Sequence, residues 1–279
     1  MTEKTLNNRK NGMVVLLLLV LVYVASVVLF IFGISYDILP LTLISCVWFV
    51  FGWIFFLGLK VLKPQEALVL TLFGKYVGTL KNSGFYFVNP FCTAVNPAAG
   101  TKLNQSGDVK VLGAKQPSGG VDVSIDIPTK KISLKIMTLN NNRQKINDCL
   151  GNPVEIGIAV MWRVVDTAKA VFNVDNYKEY LSLQCDSALR NIVRIYPYDI
   201  APNVDTTGDG IADEGSLRGS SEVVAARIKD EIQDKVSEAG IEILEARITY
   251  LAYAPEIAAV MLQRQQASAI IDARKMIVD

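Results

Sequence analysis

Two apolar runs, residues 13–34 and 38–59, follow one another near the N-terminus without a single charged side chain. Each is 22 residues long, and at about 1.5 Å of rise per residue a helix of that length covers the roughly 30 Å hydrocarbon layer of a bilayer. Only Ser35, Tyr36 and Asp37 lie between them, so the chain reverses at once and the runs read as a membrane hairpin. Everything from Lys60 onward then lies on the side of the N-terminus. A cleaved signal peptide would also open on a basic leader. Against it, the first run is too long for the apolar part of such a peptide, no A-x-A-like site follows, and a second span starts immediately. Pro40 falls in the first turn of the second span, where proline is tolerated, and Gly52 lies within it. A shallow hairpin that enters and leaves one leaflet is the other arrangement these lengths allow.

Charge gives the orientation. Lys4, Arg9 and Lys10 precede the first span against Glu3 alone, and Lys60 and Lys63 follow the second, while the connection carries only Asp37. The positive-inside rule then puts residues 1–12, both termini and the soluble domain in the cytoplasm, and the expected location is a bacterial inner membrane. With no ionisable residue inside either span, an intramembrane proton relay or charged ion pathway is not expected.

The chain has 28 basic and 27 acidic residues, and this balance offers no basic footprint for nucleic acid. It has no histidine, which removes Ser-His-Asp and Cys-His catalysis and H-E-x-x-H metal sites together. Cys46, Cys92, Cys149 and Cys185 show no C-x-x-C pairing, so neither a zinc site nor a redox dithiol is expected, and scattered single cysteines suit a reducing compartment. Cys92, beside Pro90 and Phe91, reads as a small apolar residue, with acylation near the membrane the alternative. No cofactor is expected.

After Pro64 the pattern turns to strands. Ala67–Phe73, a short strand after Gly74-Lys75-Tyr76, and Phe85–Val88 after Asn82-Ser83-Gly84 form a β-meander against the bilayer. Its aromatics Phe85, Tyr86, Phe87 and Phe91 serve either the core or an interfacial belt at the headgroups. Residues 98–120 read as a loop with a short strand over 108–112. Alternation follows at Val121, Val123, Ile125 and Ile127, then at Ile132, Leu134 and Ile136. The strongest strand is 154–165, where Val154, Ile156, Ile158, Val160, Trp162 and Val164 take every second position. A short helix then runs from Asp166 to Phe172, and an amphipathic one spans 177–196, ended by Pro197. Ser220 and Ser221 open another, with Val224, Ile228, Ile232 and Val236 every four residues and a stop at Gly240. Residues 241–253 return to strand, with Leu244, Ala246, Ile248 and Tyr250 on one side, and a long helix occupies 255–279. It reaches Asp279 without a cap, so the natural chain is expected to continue.

Residues 205–214 place Asp at relative positions one, five and nine with Gly at six, the spacing of a calcium loop. Position three is Thr and position twelve is Ser216. A solvated Asp/Gly-rich connection explains the same residues by turn chemistry.

Three blocks together resemble the stomatin/prohibitin/flotillin (SPFH, band 7) family. The first is Phe73-Gly74-Lys75-Tyr76-Val77-Gly78-Thr79-Leu80 with Gly84-Phe85-Tyr86-Phe87-Val88-Asn89-Pro90-Phe91. The second runs from Pro153-Val154-Glu155-Ile156 through Met161-Trp162-Arg163-Val164-Val165-Asp166 to Ala170-Val171-Phe172-Asn173-Val174, and the third joins Ala188-Leu189-Arg190-Asn191-Ile192-Val193 to Ala254-Pro255-Glu256-Ile257. The resemblance implies an α+β fold: a two-helix transmembrane hairpin, an SPFH-type mixed-sheet domain over 63–254, and a C-terminal extended helix from 255 that starts a coiled coil. It also implies a non-catalytic scaffold that forms homo-oligomers at the lipid bilayer, marks membrane microdomains and regulates partner membrane proteins, proteases among them. Asn82-Ser83 replaces the proline usual before the meander glycine, and two full-length spans replace the single anchor or shallow hairpin of other members.

Assembly contacts are expected at Ile257, Met261, Ile270 and Ile277 of the last helix, the alternative being that they pack on their own domain. Two other functions fit parts of the pattern. One is a two-span subunit of an oligomeric channel or transporter, and the other a calcium-responsive membrane adaptor using residues 205–214. A membrane protease would need a Ser-Lys arrangement, and no sequence motif supports one.

Overall fold

The structure is a computed structural model that describes residues 2–6, 11–101, 103, 130–141, 143–199 and 215–278. The expected strands at 108–112 and 121–127 and the Asp/Gly segment 205–214 lie outside the described residues. The chain forms two compact units. One contains residues 1–100, 120–135 and 164–176, and the other contains the rest.

The first unit opens with the hairpin. Helix α1, Gly12–Ser35, and helix α2, Leu39–Phe51, are both long and apolar enough to cross a membrane once α2 is continued by a 3-10 segment to Gly58. Asp37 takes a left-handed conformation at the reversal, with φ 51°, one that a short polar side chain tolerates. The buried residues of α1 are Gly12, Leu19, Ser26 and Gly33. They recur every seven positions and are mostly small, the pattern that lets two apolar helices approach closely without a hydrophobic driving force between them. At Gly33 an added Cβ would lie 2.6 Å from the Thr42 methyl, so the turn end of the hairpin closes only around glycine. Tyr23 gathers Trp48, Phe49 and Phe56 against it, while Leu17, Leu21 and Ile44 stand more than half exposed, as lipid-facing residues do. The expected uninterrupted helix over 38–59 differs in one respect: α geometry stops at Phe51. Gly52, a poor helix former, is where the tighter 3-10 winding starts.

Strand β1, Leu59–Leu62, leaves this segment directly and pairs antiparallel with β4, Gly84–Phe87. Strands β2, Glu66–Leu72, and β3, Lys75–Leu80, form a hairpin around the two-residue turn Phe73-Gly74. Thr93–Ala94 (β5) and Ile132–Ser133 (β6) add to β2. Ala67 through Leu70 are nearly inaccessible in succession, so β2 is covered on both faces, as its continuous apolar run requires. The core comprises Leu62, Leu68, Leu70, Leu80, Tyr86 and Cys92. Helix α3, Thr167–Phe172, is capped by Asp166, whose carboxylate accepts the Lys169 N–H at 2.9 Å.

In the second unit, β9, Pro153–Val164, is the central strand. Val154, Ile156, Ile158, Val160, Trp162 and Val164 are all buried, in the alternation expected. Strands β7, Met137–Asn140, and β8, Gln144–Asn147, pair with successive halves of β9, and β10, Ile241–Tyr253, lies on its other side. Helix α4, Tyr177–Val193, packs on α5, Ser221–Val236, and α5 on β10. Gln233 of α5 satisfies the backbone of β10, accepting the Ile243 N–H at 2.7 Å and donating to the Ile241 carbonyl at 3.2 Å. On β10 the buried pair is Ile241 and Ile243, and the alternation slips before Ala246, so the face expected through Leu244 starts one position off. Ser220 occupies the N-cap of α5 without a side-chain cap bond; the nearby hydroxyl of Ser216 accepts the Gly219 N–H instead. Gly240 ends the following turn in a left-handed conformation, φ 66°, as its place in the sequence predicts.

Each unit carries a carboxylate held below its ordinary value. Burial disfavours the Glu66 charge, yet hydrogen bonds from Lys131 Nζ (2.9 Å) and the Lys63 N–H (3.2 Å) outweigh it. Glu231 is held down by its hydrogen bond from Lys235 and a second from Asn191. A carboxyl with a depressed folded pKa contributes stability above its unfolded pKa and loses it as pH falls through the folded one. Resistance to urea is therefore expected to be flat above about pH 5 and to decline below the ordinary carboxylate value near 4.5, and Glu66→Gln is expected to flatten the decline for the first unit.

Candidate membrane interface

The end of the first unit nearest the hairpin is built by strand register. Phe87 lies opposite Leu59, the first residue after the 3-10 segment, and the Val88 N–H donates to the Gly58 carbonyl at 2.9 Å. Strand β4 therefore runs toward the hairpin, and the turn Asn89–Cys92 follows where the spans emerge. A Cβ on Gly12 would meet the Phe85 carbonyl carbon at 2.7 Å, so α1 begins in contact with the β4 backbone. Only a residue without a side chain permits that approach.

The four expected aromatics separate. Tyr86 is 2% exposed in the core, its hydroxyl donating to the Asn82 carbonyl at 2.8 Å. Phe85 and Phe87 are half-buried. Phe91 is 60% exposed. Its ring stacks on Phe73, with centroids 6.4 Å apart and planes at 24°, and Phe73 is 86% exposed. Sequence reading placed Phe73 at a strand end and did not single it out. The structure holds it in the β2–β3 turn at φ 48°, followed by Gly74 at φ 82°, the primed turn geometry that two-residue hairpins favour. A bulky aromatic pays a steric penalty there. Two large rings thus stand stacked and exposed at the β2–β3 turn. Lys75 beside it is exposed, and the Lys60 charge is felt at Cys92.

Cys92 is buried, and burial pushes its thiol up although Lys60 opposes this. That environment favours the packing role over acylation. Among the described residues no three His, Cys, Asp or Glu side chains gather as a metal site would need.

Of the expected assembly residues, Ile270 is 56% exposed, Ile257 and Met261 are partly buried, and the Ile277 side chain lies outside the described residues. They sit on helix α6, Pro255–Val278, which is tied to β8 of the same unit by an ion pair between Glu256 and Lys145 at 2.6 Å. Val260, Leu262 and Ile271, which are not among the expected contacts, are also more than half exposed.

A comparison with curated proteins finds no match. The family model described as SPFH domain / Band 7 family matches residues 60–276. That range begins within the first strand after the hairpin and covers the sheets of both units and most of α6, so the chain belongs to the SPFH/Band 7 family.

Proposed function

We propose that this protein is a non-catalytic membrane scaffold. It is anchored by the α1–α2 hairpin and assembles laterally into homo-oligomers that organise the bilayer and regulate partner membrane proteins, proteases among them. The observation that carries the reading is α6, a 24-residue helix on which Val260, Leu262, Ile270 and Ile271 stand 56–62% exposed. Apolar side chains left exposed on more than one side of a helix supply contact surface for other chains. A hairpin that confines every copy to one surface raises the local concentration, so weak lateral contacts suffice. The domain and N-terminus share the cytoplasmic side in this reading, which the charge pattern and the seating of residues 4–6 on β3 both support. The Phe73–Phe91 pair and the half-buried Phe85 and Phe87 rest at the headgroup layer.

The test is the mass of the full chain extracted in a mild detergent, by native mass spectrometry or light scattering. A large discrete oligomer is expected, and Ile270→Asp with Ile271→Asp is expected to reduce it to small species. A monomeric parent chain would overturn the scaffold reading.

A further inference from the structure

The N-terminal residues, read in the sequence only for their charge, sit in a formed groove on the free edge of β3. Thr5 bridges Thr79 in parallel. The Thr79 N–H donates to the Lys4 carbonyl at 2.8 Å, and the Leu6 N–H donates to the Thr79 carbonyl at 2.9 Å. The Lys4 N–H also donates to the Tyr76 hydroxyl at 3.2 Å. The Glu3 carboxylate enters a polar pocket. It pairs with Lys81 Nζ at 2.6 Å and accepts from the buried Thr167 through its hydroxyl at 2.5 Å and its N–H at 3.3 Å. Leu6 packs against the core cluster of the unit. The floor between them is Gly78, where a Cβ would lie 2.6 Å from Leu6 Cγ and 2.9 Å from the Lys4 carbonyl oxygen.

The groove thus recognises an extended segment by main-chain pairing, a carboxylate, and a branched apolar side chain three residues later. This is strand addition to a sheet edge, with pockets supplying specificity. We propose that the groove is an exchange site, which in the assembled protein takes Glu3–Leu6 of a neighbouring copy in place of the chain's own. The ligand that the groove is seen to fit is this segment, and every neighbour carries one. A segment of four residues makes few contacts, so seating it within one chain relies on a tether, and a tether supplies only millimolar effective concentration. Neighbours held by the same bilayer compete on that scale. Passing the segment from each copy to the next is a head-to-tail contact, the kind that closes rings. The six steps from Leu6 to Gly12 reach at most about 22 Å, so a donor's first helix starts within that distance of the acceptor groove. The proposal rests on the oligomeric reading above.

The test uses two full-length chains with different tags, Thr5→Cys in one and Thr79→Cys in the other, co-expressed and oxidised in their membranes. Each single variant alone is the control for the native cysteines. A disulfide joining the two tags is expected, falling roughly tenfold or more when the donor also carries Glu3→Lys, which sets a cation against Lys81. It is expected to be lost when the acceptor carries Gly78→Val. If a chain carrying both cysteines links only within itself while light scattering still reads an oligomer, exchange is overturned and the scaffold stands. No link in either arrangement would overturn the groove itself. A monomer by light scattering would overturn the oligomeric reading, and the exchange with it.

Discussion

Trp162→Ala is expected to raise amide exchange along β9 by about two to four orders of magnitude in the full-length protein, because it removes the largest fully buried side chain. Trp162 has no accessible surface. Truncating a buried Trp costs about 3–5 kcal/mol through lost transfer energy and the cavity left behind, and each 1.4 kcal/mol is tenfold in an opening equilibrium. It lies opposite Met137 in the β7–β9 ladder, and its ring meets Tyr177 edge-on at 6.3 Å. The start of α4 is therefore expected to loosen together with the strand. Its indole N–H, like that of Trp48, is buried without a hydrogen-bond partner among the described residues. Trp162→Phe removes that unsatisfied donor while keeping most of the apolar volume. Its expected cost is a small fraction of that of Trp162→Ala. Hydrogen exchange read by mass spectrometry on peptides covering 153–164 and 177–193 separates the two. Equal losses for both substitutions would show that the indole N–H is satisfied in solution.

The second unit was legible in the sequence to the extent that one period governed a whole element. Six alternations from Val154 to Val164 and the four-residue recurrence of Val224, Ile228, Ile232 and Val236 leave little freedom, and both elements form as expected. The slip on β10 before Ala246 was not legible, because it depends on where α5 lies over the strand. The hairpin was legible from length and charge alone. Its interior was only half read: the seven-residue stripe Gly12, Leu19, Ser26 and Gly33 stands in the sequence, but an overall apolar run hides it. The change to 3-10 geometry after Phe51 has no periodic signature, since every residue from Trp53 to Leu57 is apolar.

The aromatic group beside the hairpin was legible in composition and not in geometry. Phe85, Tyr86, Phe87 and Phe91 were one aromatic group in the sequence, but the pleat of β4 turns Tyr86 inward between two half-buried neighbours. Phe73 reads as the last apolar residue of a strand until the Phe73-Gly74 turn is seen. The pairing of Glu3 with Lys81 joins residues 78 positions apart, and no local pattern announces it. Before the fold is known, Glu3 is one acid among flanking bases. Long-range partners of short segments are what sequence periodicity leaves out, and in this chain they meet where the hairpin joins the domain.

That junction is expected to fail at Gly58. Gly58 ends the 3-10 segment, and its carbonyl receives the Val88 N–H at 2.9 Å. A side chain there would press into the Val88 carbonyl oxygen, with Phe87 Cε2 a further 2.9 Å contact. The obstacle is largely backbone, so it cannot be relieved by a rotamer change. Gly58→Val must push β4 away from β1 at the membrane end of a ladder only four residue pairs long. The expected cost is about 1–3 kcal/mol of overpacking, with about 1 kcal/mol more for the broken Val88 bond. Such a loss is enough to open the β1–β4 pair without unfolding β2 and β3. The consequence reaches Phe91, which follows β4, and Phe73, which stacks on it. A spin label at Phe73→Cys in the full chain in nanodiscs reports the effect. In the parent, collisions with oxygen are expected to exceed those with a water-soluble nickel complex, as at a lipid-contacting site. In Gly58→Val the order is expected to reverse toward that of a label at Lys75→Cys, and amides 84–91 are expected to exchange about ten to a thousand times faster. A label at position 73 equally open to nickel in both proteins would remove the Phe73–Phe91 tip from the membrane interface and leave the hairpin as the sole lipid contact of this unit.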